Sequence, residues 1–196
     1  MEISLSDINR MNVVFPCGKV YTGGSQEWYG DRWRRVSGCG PTAAANLVWY
    51  AAAERLSNAY GEIQNEMFDF VTPGVQGVNS SRIFTEGIRG YGVSRGLDIV
   101  PRVMEIPQKP RVRPDAGEAL RFLTGALKAD SPVAFLNLSN GTLVNLDNWH
   151  WVTITEIETE SLAATVFDQG KAFEIDFAEW LETSILGGSL VYINIK

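Results

Sequence analysis

The chain has 196 residues, 45% of them apolar, with 17 basic side chains against 23 acidic ones and a net charge of −6. That length suits a single domain over residues 1–196 with a sizeable core, the charge excludes a general attraction to nucleic acid or anionic lipid, and no uncharged apolar run approaches the ~18 residues of a membrane span. Cys17 and Cys39 are too few for a disulfide scaffold, and the opening MEISLSDINR has acids where an export signal carries bases, so a cytoplasmic chain with free thiols is expected.

Along the chain, the cluster DRWRR at Asp31 to Arg35 reads as a solvated loop face, with a contact for an acidic partner as the alternative. The next stretch, PTAAANLVWYAAAERL from Pro41 to Leu56, is rich in helix formers with almost no polar face, the mark of a helix surrounded by protein. Proline suits a first helical turn because its missing N–H would be unpaired there, so the helix starts near Gly40 with Cys39 at its amino end. GEIQNEMFDF and SRIFTEGIRGYG predict short helices separated by a break at Thr72 to Gly74. A strand is expected at LDIVPRVMEI, Leu97 to Ile106, confined by Pro101 to an edge or a bulge. DAGEALRFLTGALKAD has an acidic start and Ala116, Leu120, Leu123 and Leu127 at helical spacing.

From Pro132 the pattern changes to strands. PVAFLNLS and TLVNL flank Asn140-Gly141, a strong hairpin signal because both residues tolerate positive φ. HWVTITEI and AATVFD predict a second hairpin, KAFEID a third strand, FAEWLETS a short helix and SLVYINI a closing strand. A helical part at about 37–130 followed by an antiparallel sheet at about 131–196 makes an α+β fold.

Chemistry concentrates on three residues. At a helix amino end, unpaired N–H groups and the macrodipole favour an anion, hence the nucleophilic thiolate form of Cys39. His150, the only histidine, opens a strand in NWHWVTITEI, with Val152 and Ile154 on its face and Trp151, Thr153 and Thr155 on the other. A turn centred near Thr159 would pair Ile154 with Ala164, Val152 with Val166 and His150 with Asp168. A carboxylate there would orient the imidazole and stabilise its charged form.

A helix-borne cysteine, a strand-borne histidine and an acid on the neighbouring strand, carried by GCGPTAAAN, NWHWVTI and TVFDQG, resemble the papain-like cysteine peptidases, most closely the bacterial branch with the double-glycine leader peptidases of bacteriocin exporters. The resemblance implies a papain-like fold and a thiol hydrolase that cleaves a peptide or related acyl bond with Cys39, His150 and Asp168. It also implies a glutamine upstream of the cysteine as oxyanion donor. Gln26 is the candidate, at a separation longer than the family's usual one, so EWYGDRWRRVS is expected to loop out. The Gly23-Gly24 pair and Trp28, Trp33, Trp149 and Trp151 are candidates for the walls of a substrate groove. A peptide or protein substrate is the expected partner, with no cofactor, metal, nucleic acid or membrane. An acyl transferase or isopeptidase would share these motifs, and a peptide-binding module without catalysis would share the fold.

Overall fold

An apolar helix needs protein on every side, and the fold is built around one. The computed structural model describes residues 1–196. Helix α1 (Arg32–Ser37) ends at Gly38, and helix α2 (Cys39–Ala52) begins at the next residue. Glycine is required at this junction, because a Cβ on Gly38 would stand 2.4 Å from the Arg34 carbonyl oxygen and from the Tyr29 ring. Twelve of the fourteen residues of α2 are buried.

Helices α3 (Tyr60–Phe70) and α4 (Ser81–Ser94) join α2 on one face of a seven-stranded sheet. On the other face lie α5 (Ala116–Lys128), started by the reciprocal cap of Asp115 and Glu118, and α6 (Phe177–Thr183), capped by Asp176. The strands are β1 (Glu2–Ser4), β4 (Ile99–Ile106), β5 (Val133–Asn137), β6 (His150–Glu158), β7 (Ala163–Asp168), β8 (Lys171–Asp176) and β9 (Gly188–Ile195). They run β4-β9-β5-β6-β7-β8, with β1 also on β6, and every pairing is antiparallel. A separate ribbon pairs β2 (Asn12–Val14) with β3 (Val20–Thr22). No helix is long and apolar enough to cross a membrane.

The α+β class and most elements agree with the sequence, and β4 is an edge strand, as Pro101 requires. The division into a helical part and a later sheet does not hold, since β1 and β4 come from before residue 131. Asn140-Gly141 makes no hairpin. Gly141 alone takes positive φ (59°), and the loop is held by Leu143 and Leu146 buried in the core and by the Asn140 amide donating to the Leu143 carbonyl. DRWRR is a helical turn rather than a loop, because Asp31 caps it through the Arg34 N–H at 2.9 Å. The register of β6 on β7 also differs. Ile154 faces Val166, and Thr153 faces Phe167, after a bulge between Ile154 and Glu156. Up to Ile154 the shift is two residues from the predicted pairing, so Val152 and Ile154 keep their face; past the bulge it is three, and Ile157, facing Ala164, joins Ile154 in the same core.

Candidate active site

His150 is the first residue of β6 and Asp168 the last of β7, so both stand at the same rim of the sheet. In the extended register Asp168 lies diagonally from His150 rather than directly opposite, a separation that long side chains span. His150 Nε2 is 3.0 Å from Asp168 Oδ1. The N–H is not aimed at that oxygen, and Nε2 has no hydrogen-bond partner, so the contact is an ion pair. The imidazole is 7% exposed. Burial alone would push its pKa down, but the Asp168 carboxylate and the Cys39 side chain near it raise it to about 10.

Cys39 opens α2 and is buried. Its height against His150 is set two helical turns further on, where Asn46 Nδ2 donates to Thr153 Oγ1 at 3.0 Å. Seven residues back along the helix and three back along the strand both cover about 10 Å, which brings Cys39 level with His150.

Asn46 also fixes the third segment. Its Oδ1 accepts from the Gly24 N–H at 2.9 Å and from the Tyr60 hydroxyl at 2.7 Å. Burial raises the Tyr60 phenol well above its ordinary range, so it remains a donor. Gln64 Nε2 donates to the Ser25 carbonyl and to Thr42 Oγ1 at 2.8 and 3.1 Å. The loop from Gly23 to Gln26 is thereby bound to α2 on one side. On the other it is bound to the β7–β8 turn: Gly170 N–H donates to the Gly24 carbonyl at 3.0 Å, and Ser25 Oγ donates to Gln169 Oε1 at 2.6 Å. Gln169 and Gly170, with φ of 50° and 73°, form the two-residue turn directly after Asp168.

Gln26 begins a 3-10 turn (Gln26–Trp28), and Gln26, Cys39 and Asp168 line one narrow cavity. Its Oε1 is buried without a partner. The segment from Gln26 to Cys39 does not loop out as expected; this 3-10 turn and α1 fold it back. Gly23 and Gly24 face inward rather than to a substrate, since a Cβ on Gly24 would fall 1.8 Å from the Tyr60 hydroxyl. Of the four tryptophans, Trp33 and Trp149 border a surface cleft beside Cys39. Trp151 stacks on Phe84 in the core, and Trp28 packs against Phe15 and Tyr21.

The sequence assigns no role to Asn46, Ser25, Gln64 or Gln169, although Asn46 and Gln169 fall inside the segments GCGPTAAAN and TVFDQG. The signal for Asn46 was a lone amide in an otherwise apolar helix, which burial obliges to find partners. Cys17 is exposed, and no group of three His, Cys, Asp or Glu side chains is arranged to hold a metal ion. No family model matches the chain, and no curated protein is significantly similar to it in sequence.

Proposed function

We propose that the chain is a thiol hydrolase of papain-like type acting on a peptide or related acyl bond. The observation that carries this reading is one buried imidazole with a carboxylate 3.0 Å away, near enough to the thiol at the head of α2 for Cys39 to help raise its pKa. An imidazolium in that place keeps a cation beside the sulfur, the setting that makes a cysteine nucleophilic. In the reaction, His150 holds the proton given up by Cys39, and the thiolate adds to the substrate carbonyl. The oxyanion is met by the Gln26 amide and the Cys39 N–H. His150 then gives its proton to the leaving amine as the C–N bond breaks, leaving a thioester. Water, deprotonated by the same imidazole, cleaves the thioester to acid and free thiol. Asp168 orients the ring and supports its charge without taking the proton.

The test is covalent labelling of the full chain with a peptidyl acyloxymethyl ketone, in which the attacking sulfur displaces a carboxylate. Wild type labels at Cys39, while Cys39→Ala and His150→Ala do not, and Gln26→Ala slows substrate turnover by on the order of 10²–10³. Wild-type protein that is folded yet never labels at Cys39 would refute the hydrolase.

A further inference from the structure

Beside Cys39 the surface opens into a cleft of about 290 Å³, at the small end of ligand sites. Trp33 and Val36 of α1 form one wall, Val75 and Gln76 another, and Trp149 flanks them. No charged side chain lines it. Trp33 and Trp149 are the only exposed tryptophans of the chain, at 51% and 49%, and both border this cleft. Val36 and Val75 are 68% and 99% exposed. Four large apolar side chains left in water around one opening mark a surface that something apolar covers.

The cleft is also preformed. Gly74 and Gly77 exchange backbone hydrogen bonds at 3.1 and 2.9 Å, and the Trp151 indole donates to the Val78 carbonyl at 2.6 Å, pinning the Val75 turn to β6. Arg34 is paired with Asp69, and Arg35 donates to the Tyr29 carbonyl, so two of the three arginines beside Trp33 are occupied elsewhere, and the exposed Arg32 is not part of the lining. Trp149 holds φ at 55°, a conformation that a bulky aromatic rarely adopts, at the residue adjoining His150. Backbone strain of this kind gathers where a side chain must be aimed for function.

We propose that this cleft is the specificity site, and that it takes a large apolar side chain, aromatic or branched aliphatic, from a peptide whose acyl carbon is presented to Cys39. The proposal rests on the thiol hydrolase reading. The occupant is identified by continuity, because the nucleophile itself is part of the lining, and by the neutral, apolar walls.

The experiment uses the full chain and peptidyl acyloxymethyl ketones that differ only at the first or second residue on the acyl side, carrying Gly, Leu, Phe or Glu. Rates are normalised to alkylation by iodoacetamide, which is too small to need the cleft. Phe or Leu is expected to label Cys39 at least ~10-fold faster than Gly or Glu. Trp33→Ala and the fully exposed Val75→Asp are each expected to cut that advantage to roughly threefold or less. Equal rates for Gly and Phe in wild type, or an advantage intact in both variants, overturn the cleft assignment while the labelling itself upholds the hydrolase. Alkylation by iodoacetamide with no labelling by any ketone overturns both.

Discussion

A buried imidazole flanked by a carboxylate and a thiol binds its proton more tightly in the folded chain than in the unfolded one. The folded-state pKa of His150, about 10, lies above the ~6.5 of a free histidine. Its contribution to stability is therefore complete below about pH 6.5 and is lost as pH rises through about 10. Urea unfolding of wild type and His150→Gln should show a stability difference that shrinks steadily from pH 6.5 to 10; a difference that grows over that range contradicts the pairing. The same charge controls the neighbouring sulfur. With His150→Gln the alkylation rate of Cys39 at pH 6 should fall about tenfold or more, while the exposed Cys17 serves as an internal reference whose rate stays constant. Asp168→Asn should lower the acylation rate by on the order of 10²–10⁴, because the ring loses the negative charge beside its Nε2.

At the scale of elements, one amide joins the helix of Cys39, the strand of His150 and the loop of Gln26. Asn46→Leu fills the same space but strands the Gly24 N–H, the Tyr60 hydroxyl and Thr153 Oγ1, and should cost about 3 kcal/mol by urea denaturation. Thr153→Val removes only the acceptor of Asn46 Nδ2, at about 1–2 kcal/mol. Because that bond sets the height of α2 against β6, Thr153→Val should also slow ketone labelling about tenfold while the protein is fully folded. A variant that is destabilised yet labels at the wild-type rate would show that the bond only supports the fold. The elements carrying Cys39 and His150 were legible because proline and apolar composition mark the start of α2 and alternation marks β6. The register was not, because the bulge after Ile154 leaves no trace in composition. The Asn140-Gly141 hairpin failed for the opposite reason, a strong local turn signal overruled by burial of Leu143 and Leu146. Six residues of α1 are too few to show periodicity, so the folding back that brings Gln26 to Cys39 could not be read beforehand.

At the scale of the molecule, the sheet separates two apolar cores that share its strands. Phe135, Val152, Ile154 and Leu190 point to the side of α5 and α6, while Ala134, Leu136, Trp151 and Val191 point to that of α2, α3 and α4. Alternate residues of β5, β6 and β9 therefore serve both cores, and neither layer can peel away without stripping one face of the other's strands. The candidate site lies across this division, with the cysteine in the helical layer and the imidazole and carboxylate on the rim of the sheet. Loss of either core should separate them. Leu136→Ala empties space on one side and Ile154→Ala on the other, each at about 2–5 kcal/mol. Each is expected to shift the far-ultraviolet and near-ultraviolet circular dichroism transitions together, since the buried Trp151 and Trp180 report opposite faces. Cys39 labelling should disappear at that same urea concentration in both variants. Transitions that come apart in Leu136→Ala alone would mean that the helical layer unfolds by itself, and that the sulfur can leave the imidazole while the sheet remains intact.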